Sequence, residues 1–243
     1  MTERVERAPS PAGPAVVSVL RAPDPDSLVS VPVPVLELDL GGVIGDRHHG
    51  ISRPSDSRQQ RYYPPGTLIR NRRQLTLVAA DELAEIADRL RVPYVAPEWL
   101  GANLLVEGVP DLSTLPIGTR LLFAGGAGLV CESVNQPCRL PAVVIQAQFP
   151  WSRAQAGFVK AAYGRRGIAA SVERAAPIVA GEELVLAPPE LHAGPRARRT
   201  NAPARRRPLR SALGGTQGEA GDELLLQQEE DDDRRQRHQH RAG

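Results

Sequence analysis

Between residues 103 and 187 the chain breaks into short apolar runs, each bounded by glycine or proline, and no other feature constrains the fold as much. Residues 103–107, 120–124 and 128–134 are separated by Gly108, Pro110, Pro116, Gly118 and the pair Gly125-Gly126; residues 168–172 and 184–187 follow later. Runs too short for helices, punctuated by turn formers at even spacing, read as the strands of a barrel or sandwich. Upstream, residues 15–20 and 74–78 read as further strands. Over residues 31–40, Leu36, Leu38 and Leu40 alternate with Glu37 and Asp39, the period-two pattern of a half-buried strand. Pro32 and Pro34 put its beginning at a sheet edge. Aromatics are only 4% of the chain, so the core has to be built from Val, Leu, Ile and Ala.

One segment has a clear helical period. In residues 79–91, Leu83, Ile86, Ala87 and Leu90 fall on one face, Asp81 and Glu82 sit in the first turn, and Arg89 and Arg91 in the last. Pro93 stops it. Residues 141–163, rich in Ala and Gln, have room for one or two helices around the break at Pro150. The expected fold is therefore mainly β, a β-barrel with a few peripheral helices, over residues 15–187. Residues 1–14 are charged and proline-containing with no apolar run; they read as a disordered lead-in, not a signal peptide. Residues 188–243 hold a basic block (196–210), an acidic block (229–233) and a last basic stretch, with almost no apolar periodicity, and read as a disordered tail.

The net charge of +2 implies no polyanionic partner. Nearly all positive charge is arginine, Lys160 being the single lysine, and this reads as a bias of the whole composition. With few aromatics for stacking, neither nucleic acid nor membrane is an expected partner. The two cysteines, Cys131 and Cys138, would close only a short loop, so both are expected free in a reducing cytoplasm.

Cys138 follows Pro137 in NQPC, just past a strand end, with Arg139 beside it. A thiolate at such a junction can ligate a soft metal or carry a sulfane sulfur, although a small hydrophobe at a loop start fits the same pattern. Cys131, mid-strand in LVCESV, reads as buried. In GDRHHG, glycines flank Asp46, Arg47, His48 and His49, a loop that can bring backbone and donors to an oxyanion or simply be a solvated basic turn. Arg72 and Arg73 precede a strand and read as surface charges or anion clamps. A zinc site from Cys131, Cys138, His48 and His49 fits no usual ligand spacing. Dinucleotide and P-loop signatures are absent, and the lone lysine leaves almost no room for a pyridoxal Schiff base within this chain.

Taken in order, GVIGDRHHG, RRQLTLVAADEL, WLGANLLVEGVPDLSTLPIGTRLLF, VNQPCR, GRRGIAASV and APIVAGEELVL resemble the MOSC domain, named from the C-terminal part of molybdenum cofactor sulfurases. The resemblance runs over residues 31–187. It implies a strand-built barrel with a few helices, and a cofactor of molybdenum and pterin. It implies that Cys138 is the residue that ligates molybdenum or carries sulfur as a persulfide. It further implies cofactor contacts from Asp46, Arg47, His48, His49, Arg73, Asn103 and, in GRRG, Arg166. Relatives suggest two activities, sulfur transfer to the cofactor and reduction of N-hydroxylated compounds; a non-catalytic binding or delivery protein is the third reading. Pyridoxal phosphate would belong to a partner cysteine desulfurase, and a reductase would need a redox partner. Ala102 departs from the Glu that many members carry. If that Glu does chemistry, this chain binds without catalysing. The Arg-rich stretch between His49 and Arg70 is longer than the family pattern.

Overall fold

Backbone alternation settles which way each strand faces. The computed structural model describes residues 13–189, so most of the expected lead-in and tail lies outside the described residues. Among these residues are twelve strands and three α-helices: β1 (Ala15–Arg21), β2 (Val31–Pro32), β3 (Leu38–Asp39), β4 (Gly42–Val43), β5 (Ser52–Pro54), β6 (Leu68–Arg70), β7 (Leu75–Ala79), α1 (Ala80–Leu90), β8 (Leu104–Glu107), β9 (Arg120–Phe123), β10 (Gly128–Val134), α2 (Leu140–Gln148), α3 (Ala154–Ala162), β11 (Ile168–Arg174) and β12 (Leu184–Ala187). Residues 13–55 and 59–189 belong to one unit; Asp56–Arg58 belong to a second.

Eight strands form one sheet in the order β12-β9-β10-β11-β7-β8-β1-β2. All its pairs are antiparallel except β7 with β8. A parallel pair needs a crossover, and α1 is that crossover. The expected closed barrel is not found. The outer edge of β1 is shared: its C-terminal end pairs with β2, and its N-terminal end meets the lead into β12 at an isolated bridge between Ala15 and Glu183. There Val16 donates to the Glu182 carbonyl at 2.9 Å and accepts from the Gly181 amide at 2.7 Å. The two ends of the sheet touch without becoming one continuous ladder.

Two apolar clusters lie on the two faces of this sheet. In β7, Leu77 and Ala79 point into the first with Leu104, Leu121, Leu129 and Ile168, while Val78 between them joins the second. The second cluster packs Ile86 of α1, Ile145 of α2 and Phe158 of α3, all essentially fully buried. The helix face expected from periodicity is the buried one: Leu83, Ile86, Ala87 and Leu90. Pro150 falls in the break between α2 and α3.

The expected strand over residues 31–40 is a correction. It forms only two-residue pieces, Val31–Pro32 and Leu38–Asp39, because prolines remove ladder donors. Leu36 is buried and bridges Ile178, but Leu40 is 56% exposed. The stretch read as an extended loop after His49 contains the β5–β6 hairpin, registered Ser52 to Arg70. At the start of β11, Gly167 has φ +78°, and an added Cβ would lie 1.8 Å from the Leu77 carbonyl oxygen. Only glycine allows β11 to begin so close to β7.

Candidate functional site

The loop after β4 is pinned by Asp46. Its carboxylate is buried, and each oxygen accepts hydrogen bonds. Oδ2 takes the Ala22 amide and Asn103 Nδ2, both at 2.8 Å; Oδ1 takes the His48 amide at 2.8 Å, with His48 Nδ1 at 3.3 Å. Burial alone would raise the Asp46 carboxyl, but the hydrogen bonds from His48 and Ala22 outweigh it and hold the group below its ordinary value. Asn103 completes the bracket. Its Oδ1 accepts from the Thr76 amide at 2.9 Å, so β1, β7 and the 42–50 loop meet at one buried amide.

His48 is only half-open to solvent. Its side chain keeps 41% of its surface exposed, yet enough protein surrounds it that desolvation lowers its pKa, helped by Arg47 and Arg73 and opposed by Asp46. The charge of Arg73 therefore reaches the histidine from another segment. Arg47 donates to the Ser27 carbonyl at 3.1 Å. His49 points elsewhere, its Nε2 held between both oxygens of Asp39 at 2.9 and 3.0 Å. The two adjacent histidines diverge, as consecutive side chains must.

Arg73 connects this loop to the exit of β10, the segment that leads to the cysteine. Asn71 holds the Arg73 amide at 3.0 Å and donates to the carbonyls of His48 and Gly50 at 2.8 and 3.1 Å. The Arg73 guanidinium donates to Asn135 Oδ1 at 2.9 Å and Ser133 Oγ at 3.3 Å, at the exit of β10. Cys138 lies three residues past Asn135. Three extended residues span about 10–11 Å, so the thiol stays in this neighbourhood. Cys138 is half-buried and free, immediately before the N-cap residue of α2, Arg139. Cys131, by contrast, is fully buried, and burial pushes its thiol up to about 11. Among the described residues no three His, Cys, Asp or Glu side chains are grouped to hold a metal ion.

Of the expected site residues, Arg47, His48, Arg73 and Cys138 keep part of their surface open. Asp46 and Asn103 are committed to protein partners and act as brackets. Arg166 is buried, with a hydrogen bond to the Leu100 carbonyl at 3.0 Å. Ala102 lies buried in the apolar cluster under the helices. Several residues escaped the sequence reading. Buried Gln74 clamps the Leu40 carbonyl at 3.0 Å and the Val172 amide at 2.8 Å. Asn71 and Asn135 are the other links, and isolated amides carry no motif. Arg21 is a further cation: its Nη1 would lie 3.1 Å from a Cβ at Gly45, and its Nε is buried without a hydrogen-bond partner among the described residues.

The pattern that defines the MOSC domain matches residues 47–185. The chain belongs to the MOSC domain family. YuaD of Bacillus subtilis (strain 168), a protein named for metal-sulfur cluster biosynthesis, is 41% identical over 162 residues, 66% of this chain and 84% of YuaD. The crystal structure of the Bacillus subtilis YuaD protein superposes with a TM-score of 0.67 at 39% identity, covering 70% of this MOSC chain and 93% of that one. YiiM from Geobacillus stearothermophilus shares the fold at 16% identity, with a TM-score of 0.50 over 72% of this chain and 75% of its own. Within the described residues, no helix of this MOSC protein is long and apolar enough to cross a membrane.

Proposed function

We propose that this MOSC protein binds the molybdenum cofactor beside the 42–50 loop and that Cys138 carries sulfur for it. The observation behind this reading is the unbroken hydrogen-bond path Asn103–Asp46–His48–Asn71–Arg73–Asn135, which ends three residues from a half-buried free thiol. The donor set suits the cofactor. Arg47, His48, Arg73 and Arg21 offer N–H groups to phosphate and oxo oxygens, whereas His49 is turned to Asp39; the unpartnered buried Nε of Arg21 is a donor in need of an acceptor. A thiolate suits a soft metal. Asp46 and Asn103 hold the loop rather than the ligand, and Arg166 is turned to the Leu100 carbonyl. The bound cofactor would supply a molybdenum centre whose terminal ligand can be sulfur.

For sulfur carriage, the Cys138 thiolate attacks the outer sulfur of a donor persulfide. A new S–S bond forms, the donor S–S bond breaks, and the donor leaves as a thiolate that takes up the released proton; no net oxidation occurs. Pyridoxal phosphate then acts in the donor, a cysteine desulfurase.

The test is molybdenum content and pterin fluorescence of protein purified from a cofactor-producing host. Wild type is expected to retain both. Arg73→Ala should lose pterin, whereas Cys138→Ser should keep molybdenum and pterin and lose only the cyanide-labile sulfur that wild type gains from a persulfide donor. Wild type that carries neither would overturn the cofactor reading.

A further inference from the structure

Helix α2 has two apolar faces and only one of them is covered. Pro141, Ala142 and Ile145 are buried, the last two in the cluster shared with the sheet and α3. Leu140, Val143 and Ala147, at i, i+3 and i+7, form a second stripe on which Val143 is 52% exposed. A helix apolar all round is normally buried on all sides. The stripe starts two residues after Cys138 and runs to an aromatic group at the far end of α2. There Phe149 sits 5.4 Å from Trp151, 5.5 Å from Tyr94 and 5.8 Å from Trp99, ring centre to ring centre. Trp151 is 70% exposed and Tyr94 56%. Both tryptophans of a chain with 4% aromatics are gathered here.

The chain through α2 and α3 carries cations and no carboxylate. Residues 133–172 contain no Asp or Glu. Arg139 stands at the N-cap of α2 and Arg153 at the N-cap of α3, so exposed cations bracket both ends of the stripe, with exposed Lys160 on α3. Glu98 beside Trp99 is the nearby carboxylate in sequence. A second copy of this chain docking face to face would bring like charges together. A protein with an apolar patch rimmed by carboxylates would match in both respects.

We propose that the exposed face of α2, together with Trp151, Tyr94 and Trp99, is the docking surface for an acidic-faced protein that delivers sulfane sulfur to Cys138. The proposal rests on the sulfur-carrier reading above. Its logic is proximity: a protein donor has to hold its own persulfide against Cys138, and the stripe leads from that thiol. The transfer is the balanced exchange already written, donor persulfide plus Cys138 thiol giving donor thiol plus Cys138 persulfide.

The test compares two sulfur sources on the full chain. The cysteine desulfurases encoded in the same genome, each purified and supplied with L-cysteine, provide the protein source; cysteine persulfide provides the small one. Loading of Cys138 is read as cyanide-labile sulfur over time. Val143→Glu and Trp151→Glu should each slow loading from the protein donor by about tenfold or more. Both should load normally from cysteine persulfide. Wild-type loading from the protein donor should slow as salt rises from about 50 to about 300 mM, while loading from the small donor should not. If both variants load normally from the protein donor, or if no desulfurase loads a wild type that cysteine persulfide does load, the docking surface is wrong and the carrier reading stands. If cysteine persulfide fails to load wild type, the carrier reading itself fails. Binding to vesicles of anionic phospholipid that Trp151→Glu abolishes would give this face to a membrane and overturn the proposal.

Discussion

At the scale of single residues, the two cysteines have opposite environments, and that difference can be measured. Cys131 lies inside the sheet with its thiol pushed up to about 11, whereas Cys138 is half-buried in a loop. Iodoacetamide at pH 8 is expected to label Cys138 alone in the native protein, and Cys131 only after unfolding; peptide mass mapping reads both. Asp46 makes a second prediction. Its lowered carboxyl contributes stability that is fully present above the unfolded carboxylate value and is lost as pH falls through the folded one. Asp46→Asn should flatten that acid limb and cost about 1–3 kcal/mol at neutral pH, because an amide cannot accept from Ala22, Asn103 and His48 together. Urea unfolding across pH reads both effects. His48 runs the other way. Its lowered pKa leaves it neutral at pH 7, and a bound anion favours its charged form. Binding of inorganic phosphate should therefore tighten as pH falls below the ordinary histidine range, and His48→Ala should remove that dependence in calorimetry. Cys138 and the GDRHHG loop were legible from residue type and motif. The amides that connect them were not, since Asn71, Gln74 and Asn135 acquire meaning only through partners distant in sequence.

At the scale of elements, legibility followed the strength of the local signal. The helix over residues 80–90 and strands such as Gly128–Val134 and Leu184–Ala187 stand where period and turn residues place them. The 31–40 strand failed because its alternation is real but its prolines cannot donate to a ladder. The β5–β6 hairpin was hidden because Ser-Arg-Pro paired with Leu-Ile-Arg has no period to read. Glycine-specific joints test the element packing. Gly167→Ala places a methyl against the Leu77 carbonyl and should cost about 3 kcal/mol or more, whereas Gly164→Ala, at φ +67° with open space around it, should cost about 1 kcal/mol. Equal costs in thermal unfolding would contradict the close approach of β11 to β7.

At the scale of the whole molecule, one sheet separates two apolar clusters, and the site gathers where the 42–50 loop, the segment before β7 and the exit of β10 converge. Each of those segments is irregular backbone held by a rigid neighbour, the usual way a fold presents functional groups. The sequence could place strands and helices but not the shared edge of β1, which depends on contacts between the first and last strands. Intact-protein mass spectrometry after incubation with cysteine persulfide tests the central claim most directly. The account predicts that native protein gains the mass of one sulfur, that the added sulfur maps to Cys138, that cyanide removes it, and that Cys138→Ser gains nothing. A wild type that stays at its original mass, or a Cys138→Ser variant that gains the same sulfur, would contradict it.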